Sequence, residues 1–213
     1  MASFTHERFV IKVCGVTSRD DAELVVSAGA TALGLIVTDS PRRVSVERAA
    51  DIATALRGRI ARVVVMRDVN VEDVRRVLDV VDVDAIQVHG GLRRGVADAV
   101  RDHDVALVEA LTIDNLDARS THADVYLLDG PRPGSGETHG WHEVTSRAWD
   151  RPVIVAGGLT SHNVADVLRE VRPWGCDVAT GSESSPGIKD RAKVESFVHV
   201  AREYFESRED VRD

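Results

Sequence analysis

Val10-Ile-Lys-Val-Cys-Gly15 is an apolar run that carries a cysteine at its C-terminal end and stops at a glycine. Such a run reads as a buried strand, and in an α/β barrel the C-terminal strand ends are where catalytic side chains are exposed. A thiol in that place serves as a base or as a nucleophile. Working outward, Val/Ile/Leu/Ala-rich runs recur at 9–14, 32–37, 61–66, 85–89, 105–109, 125–128, 153–156 and 177–180. Between them lie amphipathic helical patterns at 20–28, 46–56, 71–80, 95–101, 142–149, 163–171 and 192–205, while the segment after Glu109 is too short and polar for a helix. Ser18, Ser45 and either Thr160 or Ser161 stand where helix N-caps belong.

Strand–helix alternation without a break in composition predicts one α/β domain over residues 1–213. Eight units in so short a chain predict a single minimal (β/α)8 TIM barrel rather than a doubly wound sheet. The charged tail at 206–213 is expected to fray.

The formal charge is −8, and the 27 basic residues include only three lysines, Lys12, Lys189 and Lys193. Codon bias toward arginine and adaptation to high salt both fit this composition. No basic stripe points to nucleic acid, and no apolar run is long enough to span a bilayer. Residues 1–8 lack the apolar core of a secretory signal, so no export leader is expected. Two cysteines, Cys14 and Cys176, do not make a disulfide framework, which predicts reduced thiols and a cytoplasmic protein.

Alternation along a strand puts Lys12 and Cys14 on one face, and Leu127 and Asp129 on another. If both faces point into a barrel mouth, a thiol and a carboxyl meet over one substrate. Taken alone, Cys14 is more often a small buried hydrophobe, Asp129 a turn residue, and Cys176 simple packing.

Ala156-Gly-Gly158 follows the seventh strand and Thr180-Gly181-Ser182 the eighth, the two loops from which barrels of this kind bind phosphate through bare backbone N–H groups. Arg42 and Arg43, after the second strand, are planar forks suited to a carboxylate, although a solvated loop charge explains either in isolation. Gln87 and His89 share the face at the end of strand four, where His89 is an acid, a base or a metal ligand, although a hydrogen-bonded structural histidine is the commoner case. No clustered His/Asp/Cys spacing supports a metal. These pieces point to an enzyme of a small phosphorylated sugar, needing no cofactor.

Together and in this order, the segments resemble the phosphoribosylanthranilate isomerase family over nearly the whole chain. The matching pieces are Lys12-Val-Cys-Gly-Val-Thr17, Ser40-Pro-Arg-Arg-Val-Ser45, Gln87-Val-His-Gly90, Leu127-Leu-Asp129, Gly134-Ser-Gly136 with Trp141, Val155-Ala-Gly-Gly-Leu159, Asp177 to Glu183, and Ser185-Pro-Gly187 with Lys189-Asp190. The resemblance implies an Amadori rearrangement of N-(5-phosphoribosyl)anthranilate to the 1-deoxyribulose 5-phosphate product. It implies Asp129 as general acid, Cys14 as general base and Arg42 on the anthranilate carboxylate. Substrate contacts are implied for Gln87, His89, Gly134, Gly136, Gly157, Gly158, Thr180 and Gly181.

The chain departs from the family pattern at Pro133, Glu137, Ala179-Thr180 and Ser182. The loop after Val37 is one residue shorter than a common form, which keeps Arg43 as a second carboxylate candidate. The expected partner is the small-molecule phosphorylated sugar alone, with no nucleic acid or membrane, on a monomer or homodimer. A histidine-pathway isomerase, with paired aspartates, is the nearest alternative, and a non-catalytic phosphate-binding barrel the more distant one.

Overall fold

The computed structural model describes residues 3–130 and 141–208. Eight parallel strands close in chain order: β1 (Val10–Cys14), β2 (Ala32–Ile36), β3 (Ala61–Arg67), β4 (Ala85–His89), β5 (Ala106–Thr112), β6 (Val125–Asp129), β7 (Val153–Ala156) and β8 (Gly175–Val178). The ring is completed by β8 on β1, where Val10 pairs with Gly175 and Lys12 with Asp177. The fold is therefore a TIM barrel. Around it lie α1 (Arg19–Ser27), α2 (Val46–Ala55), α3 (Val71–Leu78), α4 (Arg94–Arg101), α5 (Trp141–Thr145), α6 (Val164–Val171) and α7 (Arg191–Ser207), with a short hairpin of β9 (Glu183–Ser185) and β10 (Ile188–Lys189) after the last barrel strand.

Strand alternation divides the core in two. Outward residues such as Ile11, Val13, Leu33, Ile86 and Leu128 pack with the helices, while Val10, Ala32, Val63, Val108, Leu127 and Ile154 fill the barrel. Small inward residues are needed because eight strands leave an interior only wide enough for side chains to fill. The parity that buries these residues sends the last inward residue of each strand to the C-terminal rim. Cys14, Arg67, His89 and Asp129 arrive there together.

Helix starts follow their caps. Ser18 accepts from Asp21 N and Ser45 from Arg48 N, both at 3.1 Å, and Asn70 with Asp73 forms a capping box on α3. Neither Thr160 nor Ser161 caps α6, whose first residue follows Asn163. Asn163 instead folds back, accepting from Thr160 N at 2.8 Å and donating to Gly158 O at 3.0 Å, which clips the loop after β7.

Several boundaries differ from the sequence pattern, and three of them have a tertiary reason. The eighth strand begins at Gly175 rather than residue 177, so Cys176 lies within it, buried and facing the helices. A glycine there reads as a breaker, but β1 presses so close that a Cβ at Gly175 would lie 2.7 Å from Val10 O. The fifth strand continues through Glu109 to Thr112, because the Glu109 carboxylate is satisfied by Leu92 N at 3.2 Å and Ser120 N at 2.7 Å. The helical pattern at 142–149 shortens to Trp141–Thr145, with the Trp149 indole donating to Val144 O at 3.1 Å and its ring tilted against Tyr126. The final helix runs through Ser207.

Candidate active site

A cavity of about 390 Å³ opens at the C-terminal mouth of the barrel. Cys14 from β1 and Asp129 from β6 both line it. Cys14 pairs in register with Gly34, where a Cβ would stand 2.7 Å from the thiol sulfur; the missing side chain makes room for the thiol. Beneath, Lys12 Nζ donates to Asp177 Oδ2 at 2.8 Å in a buried ion pair. Burial pushes the Cys14 thiol up, and the charge of Asp177 adds to this, while the ammonium groups of Lys12 and Lys189 pull the other way. Lys189 is itself buried, and its Nζ donates to Cys14 O at 2.6 Å, Ser182 Oγ at 3.1 Å and Glu183 Oε1 at 3.1 Å, tying the end of β1 to the β9–β10 hairpin.

Asp129 is the other half of the pair. Burial first, and then the negative charge of Asp177, raise its carboxyl to about 6, against the opposing pull of Arg67 and Lys12. A carboxyl raised this far holds its proton into the range where a general acid works. Behind it Gly157 turns with φ +87°, and a Cβ there would stand 2.5 Å from Asp129 Oδ1 and 2.4 Å from Gly130 N. Only glycine meets both demands, so the loop after β7 packs directly on the acid.

His89 and Gln87 line the same cavity. The Gln87 amide and His89 Nε2 share a side-chain hydrogen bond at 2.8 Å. Burial, aided by Arg67 and Lys12, lowers His89 to about 4, so the ring is neutral at neutral pH. Gln87 Oε1 and Asp177 Oδ1 are buried without a hydrogen-bond partner among the described residues. Buried acceptors left open are costly, and open acceptors beside a cavity are ready for a ligand's hydroxyls.

Gly157, Gly158, Thr180 and Gly181 line the mouth on the side of β7 and β8. Arg42 reaches them from the loop after β2. Its Nε and Nη2 donate to Glu183 Oε1 and Oε2, each at 2.8 Å, and Nη2 also donates to Thr180 Oγ1 at 3.1 Å. The guanidinium is thus held bidentate by Glu183, with Nη1 unengaged among the described residues. Arg43 is exposed and its neighbour Arg42, not Arg43, lines the cavity. Gly134 and Gly136 lie outside the described residues. No three His, Cys, Asp or Glu side chains are gathered to hold a metal ion among the described residues.

Three contributors were not singled out from the sequence. Asp177 stands at the start of the run at 177–180, two residues inside the observed strand, Glu183 lies beyond the last strand, and Arg67 lies one residue past the apolar run at 61–66. The signal available for Arg67 was its parity, two residues past the inward Val65.

The family model for N-(5'-phosphoribosyl)anthranilate isomerase matches residues 11–200. The chain is 36% identical to the N-(5'-phosphoribosyl)anthranilate isomerase of Haloarcula marismortui over 91% of this chain and 96% of the relative. The phosphoribosylanthranilate isomerase structure from Thermus thermophilus superposes with a TM-score of 0.78 at 32% identity, covering 91% of this chain and 98% of that one. A second structure, an isomerase in complex with reduced 1-(o-carboxyphenylamino)-1-deoxyribulose 5-phosphate, matches at 25% identity with a TM-score of 0.75, over 92% and 99% of the two chains. The barrel, the cavity at its mouth and these matches carry one conclusion: the chain belongs to the N-(5'-phosphoribosyl)anthranilate isomerase family.

Proposed function

We propose that this enzyme converts N-(5'-phosphoribosyl)anthranilate to 1-(2-carboxyphenylamino)-1-deoxyribulose 5-phosphate, an isomerisation of tryptophan biosynthesis, by general acid–base catalysis between Asp129 and Cys14. The observation that carries this reading is that the thiol and a proton-holding carboxyl line one cavity. Asp129 gives its proton to the furanose ring oxygen as the C1'–O bond breaks and the amine lone pair forms an iminium. The Cys14 thiolate then takes the C2' proton, and those electrons make the enol while the iminium nitrogen becomes neutral. The enol relaxes to the ketose. Lys12 beneath the sulfur and the passing iminium charge both favour the thiolate that burial opposes.

The phosphate lies between the Gly157-Gly158 and Thr180-Gly181 loops, held mainly by backbone N–H groups. Arg42 presents Nη1 to the anthranilate carboxylate, and Gln87 and His89 face the sugar. Gly134 and Gly136 belong to the same reading on the strength of the family motif. The small substrate is the only partner beyond a second copy of the chain, and the acidic composition supports no role with nucleic acid. No helix of the described residues is long and apolar enough to cross a membrane, and the free buried thiols of Cys14 and Cys176 support a cytoplasmic setting.

The deciding experiment is a fluorescence assay of phosphoribosylanthranilate consumption by the purified protein. First-order loss that scales with enzyme is expected, and loss no faster than spontaneous decay would end this reading.

A further inference from the structure

The β9–β10 hairpin after the last barrel strand inverts the usual pattern of burial. Its Ile188 is 57% exposed and the neighbouring Lys189 only 6%, so an apolar side chain is left in solvent and an ammonium is turned inward. We infer that Lys189 is a positioning residue for Cys14: it fixes the backbone of the thiol-bearing rung and holds beside it a positive charge that a thiolate balances. Lys189 does not line the cavity, so it acts through the base. The inference rests on the function proposed above and deepens it.

The hairpin is held where the ammonium is needed. Gly187 turns it with φ +83°, and Thr17 Oγ1, just past β1, donates to Gly187 O at 2.6 Å. Asp190 N donates to Ser182 O at 2.9 Å and Lys193 Nζ to Glu183 O at 2.7 Å, which fasten the start of β9 to the start of α7. An ammonium has three donors. Here Cys14 O accepts at 2.6 Å, Ser182 Oγ and Glu183 Oε1 at 3.1 Å each, and Ala179 O lies further off at 3.5 Å. The contact with Cys14 is to its main chain, so it fixes the rung whether the thiol is protonated or not.

The charges around Cys14 do not cancel. Lys12 is paired with Asp177, whereas Arg42 and Lys189 share the one carboxylate of Glu183, whose Oε1 accepts from them at 2.8 and 3.1 Å. Three cations thus stand against two carboxylates, a surplus of one positive charge in this cluster. A Cys14 thiolate favours the charged form of all three, Lys12, Arg42 and Lys189. In return Lys12 of β1 and Lys189 of β10 favour the thiolate, against burial and against Asp177 of β8. Burial, and then Arg42 of the loop after β2, lower the Lys189 ammonium, while Glu183 and the thiolate hold it up. Ionising Cys14 closes the count, and such an electropositive setting is what lets a cysteine act as a base.

The test reads Cys14 itself, as the rate of its alkylation by iodoacetamide in the purified whole chain, located by mass spectrometry. Lys189→Met should slow alkylation at neutral pH by about tenfold, and the pH at which the rate reaches half its plateau should move up. The kcat for phosphoribosylanthranilate should fall by a similar factor with KM little changed, and Lys189→Arg, which keeps the charge, should restore much of both. Lys189→Gln keeps a donor without the charge, should match Lys189→Met, and replaces it where methionine does not fold. Alkylation of a neutral variant at the unaltered rate overturns the inference. So does a slowing that Lys189→Arg leaves unrelieved, which marks lost packing, or the failure of both neutral variants to fold, which assigns the ammonium to the fold alone. An unaltered protein that consumes phosphoribosylanthranilate while its neutral variants match it in alkylation refutes this inference alone; one that consumes none refutes the function beneath it.

Discussion

The two ends of the barrel use the same residue types to opposite effect. At the N-terminal end, Arg62 on β3 is buried, and its backbone N, Nε, Nη1 and Nη2 bond to Asp84 and Asp82 at 2.8 to 3.1 Å. Neither carboxylate there has an oxygen buried without a partner. At the C-terminal mouth, Asp129 is pushed up to about 6, and among the described residues Asp177 Oδ1 and Gln87 Oε1 are buried and open and the Arg67 guanidinium has no partner. Polar groups that satisfy one another hold structure, and those held short of satisfaction are available for chemistry.

That contrast is most exposed to test at Cys14 and Asp129. Cys14→Ala and Asp129→Asn should each lower kcat by about 100-fold or more, since each removes a proton transfer made only in the transition state. Cys14→Ala should keep the melting temperature close to that of the unaltered protein, and Asp129→Asn should not lower it. Near-normal turnover by Cys14→Ala would remove the thiol base.

The opposite signature is expected at the other end. Arg62→Ala should destabilise the fold by about 1–3 kcal/mol in denaturant titration, less than a fully buried pair because Asp82 is partly exposed. Its kcat and KM should not move. A large loss of turnover in folded Arg62→Ala would break the division between the two ends.

A smaller effect separates the charges around Asp129. The group works protonated, so kcat/KM should fall as pH rises through about 6. Asp177→Asn removes a negative charge that raises Asp129, and the fall should begin at lower pH. The same raised carboxyl favours the fold while it is protonated, and this contribution is lost as pH rises from 3.8 through about 6. The melting temperature of Asp129→Asn should therefore gain on that of the unaltered protein between pH 4 and pH 8. An advantage independent of pH would mean that Asp129 is not raised.

The weakest effect concerns the rest of the surface. Of the three lysines, Lys12 and Lys189 are buried in ion pairs, and Lys193 donates to Glu183 O at 2.7 Å. The solvated positive charge is thus carried by arginine, on a chain of net −8. Salt screens like-charge repulsion, with a screening length near 3 Å at about 1 M. The melting temperature should rise modestly from low to molar KCl, and a flat or falling series leaves codon bias as the whole account of the composition.

The barrel was legible in the sequence because it is written in local periods. Eight apolar runs alternate with helical patterns, and Cys14, Asp129 and both glycine loops stand at strand ends whose positions follow from those periods. The order of motifs also carried the family. What the sequence left open lies in contacts between distant residues. Lys12 and Asp177 meet across 165 positions, and Arg42 and Glu183 across 141, so neither ion pair has a spacing to read. Gly175 falls outside the run at 177–180, because its crowding against Val10 exists only once the ring closes. Arg67 lies one residue past the apolar run at 61–66. Its inward parity is local, but the lack of a partner for its guanidinium among the described residues is set by which carboxylates the closed barrel spends on Lys12, Arg42 and Lys189.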